Sequence, residues 1–135
     1  MVTQYIRKVG LFVLSASLLV AGLQIGARAR ADDDAKWAAT EKLYNTYCVQ
    51  CHGMNRNGKG INAKSMPVQP RDHSDPKGMG AIPDSEIVKA ITYGGLSVNK
   101  SVLMPAWGKV LSAQQIQDLA AYIRHVCQCG AEAKH

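Results

Sequence analysis

Residues 47–53 read YCVQCHG, and Cys48, Cys51 and His52 within them form a Cys-x-x-Cys-His pentad. Three chemistries use that spacing: a redox dithiol, half of a zinc site, and a covalent anchor for haem c. A structural zinc site takes four protein ligands, so one Cys-x-x-Cys needs a second pair at matching spacing. The only other cysteines, Cys127 and Cys129, lie far along the chain and are spaced Cys-x-Cys. A thioredoxin-like dithiol belongs in a βαβ setting, and no strand pattern is legible in this chain. Haem attachment accounts for each position. On one helical turn both sulfurs can face the same porphyrin edge as thioethers to its vinyl groups, and the adjoining histidine falls under the iron.

Three helical segments are available to hold the pentad, which makes the expected fold all-α. The first runs from about Asp34 to Cys48: Asp32, Asp33 and Asp34 offer N-caps, while Trp37, Tyr44 and Tyr47 recur at helical spacing. A short second helix lies in PDSEIVKAITYGG, with Pro83 and Asp84 as its start, Ile87, Ala90 and Ile91 as its apolar set, and Gly94 as its stop. The third begins at Ser112, whose hydroxyl can form a capping box with Gln115. Ile116, Leu119, Ala120, Ile123, Val126 and Cys127 then make one apolar stripe. Between the first two helices, residues 53–82 hold five glycines and three prolines, which forbids long regular structure. So long a loop in a compact domain needs a reason, and wrapping a prosthetic group is one.

The chain has 135 residues and a formal charge of +6, room for one domain. Residues 1–31 read as a secretory signal: Arg7 and Lys8 without acids, an apolar run from Val9 to Gly26, and Ala29-Arg30-Ala31 as a cleavage site. The alternative is an uncleaved membrane anchor, the apolar run being near the lower limit for spanning a bilayer. Cleavage leaves residues 32–135 as the domain, secreted and with no membrane insertion. Arg7, Lys8, Arg28 and Arg30 leave with the leader, and the charge falls from +6 to +2. The basic balance therefore carries no nucleic-acid inference, and no basic stripe interleaved with aromatics supports one. The domain keeps Trp37, Tyr44, Tyr47, Tyr93, Trp107 and Tyr122 but no phenylalanine. A chain this small has a modest interior, so a further group should fill its centre.

CVQCHG after an aromatic-bearing helix, then GKG, QPRD and LMPAWGKVLSAQQIQDLAAYIRHV, resembles the class I monohaem c-type cytochromes, in particular the small bacterial periplasmic type. The resemblance implies a cytochrome c fold, with three main helices and long loops around one haem c held by Cys48 and Cys51. It implies His52 as proximal ligand and an electron carrier rather than an enzyme. Where relatives often have proline after the second loop glycine, this chain has Ile61-Asn62. The carbonyl there could still accept the proximal histidine's Nδ1 proton, but the departure leaves that acceptor unassigned.

A second axial group keeps such an iron low-spin, and the candidates are Met54, Met66, Met79, Met104, His73 and His125. Met104 is preferred: it lies in an extended loop stiffened by Pro105, and it precedes a helix able to fold back and hold it across the haem. Met54 stands too close to His52, and Met66-Pro67 comes before the helix needed for a second wall. For any lone methionine, gap-filling core is the ordinary role. A thioether favours Fe(II) and a fairly high potential, which suits a carrier. Trp107 is a candidate to pack on the haem or bond a propionate, as against plain core, and Arg71 a candidate propionate partner, as against solvated surface. Tyr44, Tyr47 and Tyr122 are expected between the first and third helices, with His73 and His125 facing solvent. Cys127 and Cys129 could pair if the helix ends there, which Gly130 permits. Lys59, Lys64, Lys77, Lys100 and Lys109 could steer acidic redox partners, although such a set is usually solvated surface. The alternatives are a haem subunit held in a larger respiratory or nitrogen-cycle complex, and a gas-binding haem protein with an open sixth site.

Overall fold

The computed structural model describes Ala35 and residues 37–130. The leader at 1–31 and the expected N-caps Asp32 to Asp34 lie outside the described residues. Contacts divide the chain after Ala38. In the first unit Ala35, Trp37 and Ala38 are helical. The second unit begins at Ala39. It is all-α, as expected, with helices α1 (residues 39–47), α2 (Val49–His52), α3 (Pro76–Gly80), α4 (Asp84–Tyr93) and α5 (Ala113–Cys127). Short 3-10 turns occupy Ala63–Ser65 and Gly95–Val98, and no strand occurs among the described residues.

α1 and α2 form one rod with a seam at Cys48. The Cys48 N–H bonds to the Tyr44 carbonyl at 2.8 Å, and the His52 N–H bonds to the Cys48 carbonyl at 2.9 Å. α4 starts after an extended Pro83, carries Asp84 and Glu86 at the positive end of its dipole, and buries Ile87 and Ile91 before Gly94 stops it. α5 opens on the expected capping box: the Gln115 N–H donates to Ser112 Oγ at 3.2 Å, and the Ser112 N–H donates to Gln115 Oε1 at 2.8 Å. Its buried stripe is Ile116, Leu119, Ala120, Ile123 and Cys127, joined by Tyr122. α5 packs on α4 and α3.

One feature differs from the sequence reading and another resolves a point it left open. The long loop is not wholly irregular, because Asp75 accepts the Lys77 N–H at 3.0 Å and Pro76 at the first helical position starts α3. At the other end of the chain Cys127 and Cys129 are joined by a disulfide, with Cα atoms 5.2 Å apart. The residue that allows it is Gln128, left-handed at φ 50°, rather than Gly130. That one reversal brings a helical residue and its second neighbour to the same side.

Arg124 ties this end of α5 to the α3–α4 connection. Its Nε donates to Asp84 Oδ1 at 2.6 Å, Nη1 to the Met79 carbonyl at 2.7 Å, and Nη2 to the Ile82 carbonyl. The Asp84 side chain is 71% exposed, so the carboxylate contributes little. The two carbonyls have far more to lose. Arg124→Leu should lower unfolding free energy by about 2–3 kcal/mol through loss of charge-assisted bonds to them, while Asp84→Ala should cost below about 1 kcal/mol. Denaturant unfolding of both variants checks the ranking, and equal losses would move the weight to the ion pair.

Candidate functional site

The chain after the pentad folds back onto it. The Gly58 N–H bonds to the His52 carbonyl at 2.9 Å, the Gly60 N–H to the Cys51 carbonyl at 3.0 Å, and the Asn62 N–H to the Gln50 carbonyl at 2.9 Å. Carbonyls at a helix end have no partner inside the helix, and here Gly58, Gly60 and Asn62 supply one for each. A Cβ on Gly60 would stand 2.6 Å from the carbonyl carbon and oxygen of Cys51. Only glycine allows that approach. The pentad is thereby held as one rigid turn.

His52 is buried, and its Nδ1 lies 3.0 Å from the Arg71 carbonyl oxygen. A carbonyl can only accept, so Nδ1 carries the hydrogen and Nε2 keeps the lone pair. This is the arrangement by which a protein orients a metal-binding imidazole. Burial holds the ring's pKa below the ordinary histidine value, with the bond to Arg71 opposing the shift. The acceptor left unassigned by the sequence is therefore the backbone of Arg71. Its side chain is exposed.

Cys48 and Cys51 are half-buried free cysteines. Burial, and then the neighbouring Cys51, push the Cys48 thiol up to about 12. The thiolate is the form that exchanges disulfides, so a thiol kept protonated does not suit a redox dithiol. Among the described residues no group of three or more His, Cys, Asp or Glu could hold a metal ion. These facts count against the dithiol and zinc readings respectively.

Beside His52 opens a cavity of about 300 Å³. Ile82, Ile87, Ile91 and Val98 give it apolar walls, Gln69, Arg71 and Lys100 stand among its polar residues, and Met66, Met79 and Met104 all line it. His52, Met104 and Arg71 are thus brought to one cavity. Trp107 is not among the lining residues; it packs on Tyr47 with ring centroids 5.1 Å apart. Tyr47 accordingly meets Trp107, whereas Tyr44 meets Tyr122 of α5 as expected, at 5.5 Å. The Met104 loop is held closely. Its carbonyl accepts the Gly95 N–H at 3.0 Å, and its N–H donates to the Ser101 carbonyl at 3.2 Å. A Cβ on Gly95 would run into the Ser101 carbonyl and come within 3.1 Å of Met104 Cβ.

His73 corrects the sequence reading. Expected at the surface, it is 8% exposed, with its ring stacked on His52 at a centroid distance of 4.1 Å and an interplanar angle of 18°. Its Nδ1 lies 3.0 Å from the Tyr44 hydroxyl. Burial, then the electrostatic influence of His52 and Arg71, hold its pKa well below the ordinary value. Arg56 stands behind this pair. Its guanidinium lies 5.3 Å from the Tyr44 ring centroid and donates to Glu41, Asn45 and the Tyr122 hydroxyl at 2.7, 3.1 and 2.9 Å. No local signal marks His73, because its partners come from α1 and α2. His125 is exposed, as expected.

A family model described as cytochrome C oxidase, cbb3-type, subunit III matches residues 35–123. The chain belongs to this family of c-type cytochromes. Two solved structures are similar to this cytochrome. One, named KustC0563 c-type cytochrome, is 21% identical with a TM-score of 0.52, over 64% of this chain and 94% of the other. The second, named Kuenenia stuttgartiensis reducing HAO-like protein complex Kustc0457/Kustc0458, is 23% identical with a TM-score of 0.52, over 66% of this chain and 41% of the other. At these identities the likeness shows the fold alone. No match was found among curated proteins.

The family implies haem c, and the residues of this cytochrome fit it. His52 presents one lone-pair nitrogen beside an apolar cavity, two free thiols lie on the same turn, and thioethers line the cavity. Thiol titration of the haem-free, denatured chain should find the two free cysteines, Cys48 and Cys51, before reduction and the disulfide pair in addition after it. Four reactive thiols without reductant would show Cys127 and Cys129 to be unpaired.

Proposed function

We propose that this cytochrome is a secreted, periplasmic carrier of single electrons between redox proteins, cleaved after Ala31 and holding one haem c. Cys48 and Cys51 would form the thioethers, with His52 and Met104 as axial ligands. The observation that carries the reading is the fixed tautomer of His52 in a pentad that opens on the cavity lined by Met104. When bound, haem c supplies an iron that changes oxidation state by one electron.

The chain's own residues do the remaining work. The GKG loop and the Arg71 carbonyl hold His52 in place, so ligation costs little rearrangement. Gly95 and Ser101 hold the Met104 backbone, and the thioether favours the reduced iron. Ile87, Ile91 and the fully buried Met79 keep water from the cavity, and a low local dielectric tunes the potential. No general base or nucleophile placed for substrate chemistry is part of this reading; the protein transfers electrons and is not an enzyme. Arg71 and Lys100 line the cavity and are suited to meet haem propionates. Lys59, Lys64, Lys77 and Lys109 are exposed and available to acidic partners.

The family description names an oxidase subunit, and one similar structure is named as a complex. They support a second reading, a haem subunit held in a larger redox assembly. Gentle purification separates the two: a monomer supports the carrier, a stable complex the subunit.

Optical and mass measurements on the periplasmic protein should give one covalent haem and an N-terminus at Asp32; a colourless folded protein would end the reading. The oxidised protein should show the weak red-edge charge-transfer band of thioether–iron ligation, and Met104→Ala should abolish it. A band that survives Met104→Ala would move the ligand to Met66 or Met79. Rapid CO binding by the reduced wild type would instead indicate an open sixth position.

A further inference from the structure

The Arg71 carbonyl fixes which nitrogen of His52 is free, but one bond to a carbonyl oxygen leaves the ring plane loosely determined, since acceptor directions there are broad. A second contact is needed to set the plane. His73 supplies it: two rings 4.1 Å apart and 18° from parallel restrict each other's tilt. His73 is itself held at two points, its backbone N–H on the Arg56 carbonyl at 2.7 Å and its ring Nδ1 at the Tyr44 hydroxyl. Tyr44 cannot yield, being 0% exposed, edge-on to His73 at 5.9 Å, with Tyr122 and the Arg56 guanidinium against its ring.

We propose that His73 is a positioning residue for His52, a buried ring held by Tyr44 on a backbone tied to Arg56, that sets the plane of the axial imidazole. The inference rests on His52 being the proximal ligand. Its consequence follows from general ligand-field chemistry: the orientation of an axial imidazole about its bond to iron sets how its π orbital meets the iron d orbitals. That orientation is read in the anisotropy of the ferric low-spin g values and in the hyperfine shifts of the haem methyl groups. The reduction potential moves with it.

The test uses the haem-loaded, full-length cytochrome with His73→Phe, His73→Leu and Tyr44→Phe, read by ferric EPR, paramagnetic NMR, potentiometry and denaturant unfolding. His73→Phe keeps a stacked ring and should hold the wild-type g values. His73→Leu fills the space without a plane and should shift the largest g value by more than its linewidth, reorder the methyl shifts and move the potential. Tyr44→Phe, the mildest change to the core, should shift the same signals in the same direction by a smaller amount. His73→Leu with wild-type g values and methyl shifts but lower stability would overturn the proposal, leaving His73 a packing residue. His73→Phe shifted as far as His73→Leu would overturn it too. If His73→Leu does not fold, Tyr44→Phe decides: unchanged signals sink the clamp. A separate His52→Ala arm isolates the underlying reading. Loss of the low-spin ferric signal there upholds His52 as ligand whatever His73 does, while its retention removes the ground for both.

Discussion

A small all-α chain that takes a large planar group faces one geometric demand above others: an imidazole offered to that group has to be held in one orientation. Here that demand is met by the bond from His52 Nδ1 to the Arg71 carbonyl. The two stand 19 positions apart in the chain, and the rest of the site arranges itself around keeping them together. Gly58, Gly60 and Asn62 return to the carbonyls of α2, which anchors the start of the loop. The His73 N–H on the Arg56 carbonyl anchors it again beyond Arg71. Between these points the Arg71 carbonyl has little freedom. A loop rich in glycine and proline is what allows so many close returns of backbone to backbone.

Two arginines replace part of the hydrophobic core that the chain lacks. Arg56 joins Glu41 and Asn45 of α1 to Tyr122 of α5, and Arg124 joins α5 to the carbonyls that precede α4. Each has a side chain only 12–13% exposed, and each directs its donors to several acceptors. A guanidinium suits the task, because five N–H groups in a fixed fork can meet acceptors from separate elements at once. Their acidic partners, Glu41 and Asp84, remain at 49% and 71% exposure. The charge is therefore compensated mainly by oriented dipoles and aromatic faces, with surface ion pairing a smaller part.

What the sequence made legible was local. The start and stop of α4, the capping box of α5 and the helical turn carrying Cys48, Cys51 and His52 all depend on residues within a few positions of one another. Each stands where the pattern placed it. The acceptor of the His52 proton, the stacking of His73 and the wall of three methionines depend on pairs tens of residues apart, joined by a loop with no periodicity to read. The composition of that loop reads as irregular, and Asp75-Pro76, a cap followed by the preferred first helical residue, is the local signal for α3. Histidine is intermediate in its preference for burial, so its residue type alone does not place His73. Its burial follows from partners that no window of sequence contains.

The three cavity methionines are not equivalent, and the backbone explains why. Met79 is 1% exposed inside α3, and its carbonyl is held by Arg124; moving its thioether would disturb a staple of the core. Met66 has its N–H on the nearby Ala63 carbonyl, but its own carbonyl is taken only by the Gln69 side-chain amide, a neutral bond at the surface. Met104, like Met79 and unlike Met66, has both its N–H and its carbonyl bonded to backbone, here to Ser101 and Gly95. Its side chain is half-buried, so it is neither committed to the core nor free in solvent. A ligand that must stay in place while iron gains and loses an electron is best carried on a fixed backbone with an uncommitted side chain. Of the three, Met104 alone combines them.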